Sequence, residues 1–158
     1  MKYSTVGNLP GRFFLPRAIL FMQVYDSVLV MIGNTPNVRN KHLDTGPCSL
    51  YIKLESQNPG GSIKDRIGLR MIEDAEKAGL LKPGATVVEG TAGNTGLGLA
   101  LVAAQKGHQL IRVIPDKMSR EKISTLKARG AKGVLTRSDG AKGHPEYYQD
   151  LAQSMAND

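Results

Sequence analysis

The segment "ATVVEGTAGNTGLGLALVAAQKGHQLIRVIP", residues 85–115, decides the fold, because two apolar runs flank one long helical pattern. Residues 85–88 predict a short buried strand. Residues 94–106 predict a helix rich in Leu and Ala, which Gly107 ends. Residues 110–114 predict a second strand. A strand, a helix and another strand in this order predict a crossover between parallel strands.

The same alternation continues on both sides of this segment. Further strands are predicted at 49–54 and 134–136, and further helices at 62–78, 119–129 and from 145 onward. This order predicts an α/β fold, with a parallel sheet and helices on both of its faces. Ligands of such sheets bind at the carboxyl ends of the strands.

The helix predicted at 62–78 has clear end signals. Apolar side chains recur at every fourth residue from Ile63 onward. Ser62 is a suitable N-cap, and Asp65 three residues later predicts an exchange of hydrogen bonds resembling a capping box. Gly79 is a typical stop signal.

The composition fits one soluble globular domain, with 158 residues, 41% hydrophobic and 22% charged. The lone Cys48 excludes an internal disulfide and weakly indicates a reducing compartment. Of the net charge of +7, +3 belongs to residues 1–25, which contain no acid. The remaining excess of +4 is too small to indicate nucleic-acid binding, although it suits small anionic ligands. The three histidines have no metal-ligand spacing.

Residues 1–25 differ from the rest of the chain. They contain two prolines and an apolar patch that Pro16 and Arg17 interrupt, so they are too broken to span a bilayer. An acid-free leader with arginine has some features of a transit peptide but lacks serine richness. The simpler interpretation, which we favour, is a poorly ordered extension, upstream of a true start at Met22.

The loop between the first two elements of the opening segment is dense in glycine and polar residues. Its spacing is G-x-x-G-x-G, which differs from the G-x-G-x-x-G of dinucleotide-binding loops. The unpaired N–H groups of the following helix favour an anion at this place. Thr91, Asn94 and Thr95 add hydroxyl and amide groups, which suit a carboxylate or phosphate. A tight turn that needs glycine for its backbone explains the same pattern.

Lys64 lies in the first turn of the helix that follows "NPGGS", residues 58–62. The helix dipole disfavours a cation at this position. A neutral amine, or a lysine bonded to an aldehyde, has a smaller penalty, and partial burial favours the nucleophilic form. A lysine that extends into water is the ordinary alternative.

Four motifs occur together in order. They are "IGNTP" (32–36), "NPGGSIKDRIGLRMIEDAEKAGLLKPG" (58–84), "VVEGTAGNTGLGLALVAAQKG" (87–107) and "PDKMSREK" (115–122). Together they resemble cysteine synthase and cystathionine β-synthase, the fold type II pyridoxal-phosphate enzymes. The resemblance covers residues 26–158. It implies the N-terminal part of the two-domain, tryptophan synthase β-like architecture.

The resemblance implies roles for the matching positions. Lys64 would bond covalently to the cofactor, pyridoxal 5'-phosphate, and later move the Cα proton of the substrate. Asn94 would donate a hydrogen bond to the phenolic oxygen of the cofactor. The substrate's α-carboxylate would be bound by the rest of the TAGNT loop, residues Thr91, Ala92, Gly93 and Thr95. Ala92 departs from the serine often found there. Gln149 lies where some cysteine synthases use a glutamine for the same carboxylate.

The implied chemistry is β-replacement, as in a lyase or transferase of cysteine biosynthesis. Serine or an O-activated serine would lose its Cα proton and its β-leaving group, and sulfide or a thiol would then add. The implied partners are these small molecules, with no nucleic acid, membrane or metal. The resemblance also implies a homodimer for the full-length protein and a cytoplasmic location.

The sequence leaves two questions open. Its motifs do not separate cysteine synthase from cystathionine β-synthase. The glycine/threonine-rich loop that binds the cofactor phosphate in this family, further along a longer chain, has no counterpart among these residues. The alternative hypothesis is therefore a truncated, non-catalytic remnant or interaction module of the same fold.

Overall fold

The computed structural model describes residues 23–91, 93–140 and 142–157, without the side chains of Arg120, Glu121, Lys122 and Leu126. The expectation of a poorly ordered extension at 1–25 therefore lies almost entirely outside the described residues. Residues 23–25 are exposed and have no regular secondary structure. None of the described helices is long and apolar enough to cross a membrane.

The main sheet is parallel, as the sequence predicts. It contains β3 (Thr86–Glu89), β4 (Gln109–Pro115) and β5 (Lys132–Thr136), in the order β3-β4-β5. Arg112, Val113, Ile114 and Pro115 of β4 are all buried. Because successive side chains of a strand point to opposite faces, both faces of β4 are covered. The prediction of a doubly covered α/β sheet is confirmed.

Two strands form a separate antiparallel hairpin. β1 (Asn37–Asn40) pairs with β2 (Leu50–Lys53), so that Val38 lies opposite Ile52. The sequence predicts β2 within residues 49–54, but as one of the alternating parallel strands, which is wrong for this strand. β1 was not predicted, because "NVRN" lacks the apolar alternation typical of a strand.

The helices follow the predicted order. They are α1 (Lys64–Lys77), α2 (Asn94–Lys106), α3 (Arg120–Ala128) and α4 (Tyr148–Asn157). α2 has both of its predicted ends, and its C-cap Gly107 adopts the left-handed conformation at φ 77°. The core lies around α2 and β4 and includes Ile72, Leu99, Val102 and Ile114.

α1 packs through a different face from its most regular apolar stripe. Ile63, Ile67 and Met71 are exposed, whereas Gly68 and Ile72 are buried. The predicted capping box is also wrong. Ser62 Oγ accepts a hydrogen bond from Lys64 N at 3.2 Å, but the Asp65 carboxylate accepts from Gly60 N instead of returning to Ser62.

Candidate active site

Two glycines bring the starts of α1 and α2 together. A Cβ on Gly98 would lie 2.5 Å from the Lys64 carbonyl oxygen, and one on Gly68 would lie 2.7 Å from the Gly98 carbonyl carbon. At the other end of the pair, Glu76 of α1 accepts a hydrogen bond from Lys106 of α2 at 2.7 Å. The two helices therefore run in the same direction, with their N-termini at one end.

Lys64 is the first residue of α1 and is half-buried. Its carbonyl contacts Gly98, which lies one helical turn, about 6 Å along the axis, after Asn94. Among the described residues, its Nζ has no hydrogen bond or ion pair. The structure thus brings the predicted lysine near the predicted TAGNT loop and leaves its amine without a protein partner there.

The turn before Lys64 is stabilised by a hydrogen bond to the buried side chain of Asp65. This carboxylate is fully buried, and one of its oxygens accepts from Gly60 N, whereas Oδ1 has no partner among the described residues. Burial raises the pKa of Asp65, although the Gly60 N–H and the charge of Arg129 oppose the rise. Arg129 donates to Leu97 O at 3.0 Å and Gly60 O at 3.4 Å, so it ties this turn to α2.

A second polar cluster joins the turn to the segment "IGNTP". Asn58 is buried; its Oδ1 accepts from Gly33 N at 2.9 Å, and its Nδ2 donates to Glu55. Glu55 accepts from Arg66 Nε at 2.9 Å and from the Thr35 hydroxyl at 3.0 Å. The hydrogen bond from Arg66 is the main cause that lowers the pKa of Glu55 to about 2. This cluster fixes the backbone on which α1 begins.

The TAGNT loop, residues 91–95, precedes and begins α2; among its described residues Gly93 and Asn94 are exposed, and Thr91 and Thr95 are half-buried. Gly93 is the N-cap and provides no side-chain cap, so the first N–H groups of α2 stay available to a ligand. Thr91 Oγ1 accepts from Gly93 N at 3.0 Å. The side chains of Asn94 and Thr95 have no hydrogen bond within the described part of the chain. The predicted site residue Ala92 lies outside the described residues.

Behind the loop lies a residue that sequence reasoning missed. Arg112 of β4 donates from Nε to Thr91 O and from Nη2 to Gly93 O, both at 2.7 Å. Its side chain is almost completely buried. An arginine inside the otherwise apolar run "LIRVI", residues 110–114, was the signal that could have indicated it.

The N-terminus of α4 lies beside the start of the same loop. A Cβ on Gly90 would lie 3.3 Å from Gln149 Cα and 3.0 Å from Ala152 Cβ. Gln149 is exposed. The structure therefore brings Gln149 near the loop without giving it a partner among the described residues. Nor do the described residues include a group of three His, Cys, Asp or Glu side chains that could hold a metal ion.

The chain is similar in sequence to known proteins. The sequence profile of the family described as "Pyridoxal-phosphate dependent enzyme" matches residues 28–158. Over 134 residues the chain is 52% identical to cysteine synthase from a Flavobacterium species, with 84% of this chain and 44% of that protein covered. Over 138 residues it is 46% identical to cystathionine β-synthase from Apis mellifera, with 85% and 27% covered.

The fold has a solved counterpart as well. The crystal structure of a hydrogen sulfide-producing enzyme from Fusobacterium nucleatum superposes with a TM-score of 0.76 at 41% identity, covering 88% of this chain and 45% of that one. The chain thus spans less than half the length of each of these three proteins. By its sequence and its fold, the chain belongs to the pyridoxal-phosphate-dependent enzymes of fold type II, in the family of cysteine synthase and cystathionine β-synthase.

Proposed function

We propose that this chain is part of an enzyme that replaces the β-substituent of serine or an O-activated serine with sulfide or a thiol. The observation that carries the proposal is the glycine contact between Lys64 and Gly98, which places an unpaired lysine beside an open helix N-terminus. Similarity to cysteine synthase and cystathionine β-synthase supports the same reaction class without choosing between them.

Lys64 has the properties that a covalent cofactor lysine needs. Its Nζ is free of protein partners in the described residues, and the residue lies in the first turn of α1. The neutral amine is the form that attacks an aldehyde. Once released from the cofactor, the same amine would take the proton from the substrate Cα and return it. Pyridoxal phosphate, when bound, supplies the electron sink for that step.

The TAGNT loop would hold the α-carboxylate of the amino acid. The N–H groups at the start of α2 are donors, and the helix dipole favours an anion beside them. The Thr91 hydroxyl accepts from Gly93 N and still has its own proton to donate. Thr95 and Ala92 complete the loop, whereas the Asn94 amide would donate to the phenolic oxygen of the cofactor.

The residues of this chain fit one part of pyridoxal phosphate. An unpaired amine at Lys64 suits its aldehyde, and the exposed amide of Asn94 suits its phenolic oxygen. The sequence contains no second glycine/threonine-rich loop that would suit the phosphate. Cofactor binding by these 158 residues is therefore the decisive measurement. The proposal includes a homodimer for the full-length protein and a cytoplasmic location, both taken from the resemblance.

The test is to titrate the 158-residue chain with pyridoxal phosphate and to follow the visible absorption of the lysine-bound cofactor. Borohydride reduction followed by mass spectrometry should place the label on Lys64. Turnover is then measured with serine or O-acetylserine and sulfide. Lys64→Ala should abolish the specific label and lower turnover by about 10³-fold or more. Lys77→Ala, at the exposed far end of α1, is the matched control and should change neither.

Each other outcome has a definite meaning. A label and turnover that persist in Lys64→Ala would overturn the role of Lys64. A folded chain with no cofactor absorption and no turnover would overturn catalysis by these residues and favour the non-catalytic interaction module.

A further inference from the structure

Arg112 is a charged side chain in an apolar environment. It is 1% exposed and is the largest fully buried side chain among the described residues. Its neighbours along β4, Ile111 and Val113, are apolar. A buried guanidinium is costly unless its donors are paired, so the partners of Arg112 indicate what the charge does.

Those partners belong to the TAGNT loop. Nε donates to Thr91 O and Nη2 to Gly93 O, each at 2.7 Å, which is the short distance of charge-assisted bonds. The space that the guanidinium occupies exists because residue 96 is glycine; a Cβ there would lie 2.6 Å from Arg112 Cζ. On the neighbouring strand, Glu89 lies opposite Arg112 in register. The guanidinium therefore joins the sheet to the loop backbone.

The direction of these bonds determines where the loop's donors point. No described peptide bond is cis, and in a trans peptide the C=O and N–H bonds point in opposite directions. Since the Gly93 carbonyl points towards Arg112, the N–H of Asn94 points away from it. Arg112 thereby holds an N–H of the first turn of α2 away from the sheet.

We propose that Arg112 is a positioning residue, which orients the TAGNT loop and adds a fixed positive charge behind it for binding a carboxylate. The inference rests on the proposed function, in which the TAGNT loop binds the α-carboxylate. It adds that Arg112 gives this loop its preference for an amino acid with a free α-carboxylate. The substitution Arg112→Lys would keep the positive charge but lose the pair of directed hydrogen bonds. Arg112→Met would keep an unbranched side chain but lose both the charge and the hydrogen bonds.

The test compares L-serine with L-serinamide, which lacks the carboxylate. Binding to the 158-residue chain is followed by the amide NMR shifts of Gly93, Asn94 and Thr95, a readout that needs neither turnover nor cofactor. The wild type should prefer L-serine. Arg112→Met should weaken L-serine binding about tenfold and leave L-serinamide unchanged, and Arg112→Lys should recover part of the loss.

Arg129→Met is the matched control. Arg129 also donates to two backbone carbonyls, but one lies in α2 beyond the loop and the other at Gly60. Its loss should lower stability without changing the ratio of L-serine to L-serinamide affinity. If Arg112→Met does not fold, Arg112→Gln, which keeps one donor group, takes its place.

The outcomes separate this inference from the proposed function. A wild-type chain that binds L-serine and L-serinamide equally would overturn the proposed carboxylate site itself. A wild-type preference that survives in Arg112→Met would overturn the role of Arg112 alone. An equal loss of both ligands in Arg112→Met would show a purely structural role and would also overturn the inference.

Discussion

The N-termini of α1 and α2 lie at the same end of the helix pair, but the buried charges that hold them have opposite signs. The turn before α1 is held by the Asp65 carboxylate, and the loop before α2 is held by the Arg112 guanidinium. In both cases the buried group binds backbone atoms of the preceding glycine-containing segment. In both cases a glycine leaves the space for it, Gly60 for Asp65 and Gly96 for Arg112.

The sign of each buried charge matches the group proposed to act at that N-terminus. A carboxylate in the first turn of α1, from which Lys64 also extends, carries the sign of charge that the positive end of a helix favours. A guanidinium behind the first turn of α2 strengthens the attraction of that end for an anion. Similar helix–turn geometry thus supports two proposed chemistries, a nucleophile at one start and an anion site at the other.

The largest effect is expected from separating the two N-termini with Gly98→Ala. The added Cβ would lie 2.5 Å from Lys64 O and 3.0 Å from Asp65 N, both backbone atoms that no rotamer change can move. We expect a loss of about 3 kcal/mol in the free energy of unfolding, measured by urea titration. The covalent cofactor label at Lys64 should fall with it.

Gly133→Ala is the control for this prediction. Its Cβ would meet only Ile114 Cδ1, at 3.7 Å, which is an ordinary contact. A change within about 0.5 kcal/mol is expected. If the two variants have equal stabilities, the close approach of α1 and α2 does not constrain the site.

A smaller effect is expected from removing the charge behind α1. Asp65→Ala leaves the half-buried Gly60 N–H without its partner, which should cost about 2 kcal/mol in the free energy of unfolding. Asp65→Asn keeps an acceptor for that N–H and should cost less. Urea titrations of both variants and the wild type measure the free energies of unfolding. Equal losses in Asp65→Ala and Asp65→Asn would show that the hydrogen bond from Gly60 N does not stabilise the fold.

The raised pKa of Asp65 also predicts how the stability of the fold changes with pH. Burial raises its folded pKa above the ordinary 3.8, so the folded state binds the proton of this carboxyl more tightly than the unfolded state does. The contribution of Asp65 to stability is present in full below about pH 3.8 and is lost as the pH rises through the raised pKa. The stability of the wild type relative to Asp65→Asn should fall across that window. A difference that does not change with pH would contradict the raised pKa.

The sequence predicted elements that local signals define. α2 has both predicted ends, because Gly107 stops it in a left-handed conformation. β1 was missed because "NVRN" is a strand only through its pairing with β2. The burial of Arg112 depends on two carbonyls about 20 residues earlier in the chain, which no local pattern reports.

In the candidate site, too, the sequence predicted the local motifs but not the contacts between them. Lys64 and the TAGNT loop were identified from their motifs, but their proximity comes from the Gly68–Gly98 contact between helices. Spacing favoured Ile63, Ile67 and Met71 as the apolar stripe of α1, whereas packing buried Gly68 and Ile72. A small residue carries little hydrophobic signal in a sequence, although it permits the closest contact of two helices.

The smallest effect is expected from the outer cluster that supports α1. The Arg66 hydrogen bond lowers the pKa of Glu55 from 4.5 to about 2. Because the folded pKa is depressed, this carboxylate stabilises the fold above about pH 4.5, and the contribution is lost as the pH falls towards 2. The wild type should have a higher urea midpoint than Glu55→Gln at about pH 7, and the difference should shrink between pH 4.5 and 2.

Asp74→Asn, on the helix that also carries Arg66, is the control for this pH dependence. Asp74 accepts from Arg70 at 2.8 Å, but these side chains are 50% and 70% exposed, against 21% and 35% for Glu55 and Arg66. Solvent screens the more exposed pair, so Asp74→Asn should change the midpoint less at about pH 7. If Glu55→Gln changed the urea midpoint no more than Asp74→Asn, the Glu55 cluster would not hold the start of α1. Two other features, the Gly68–Gly98 contact and the Asp65 hydrogen bond, would then be what positions Lys64.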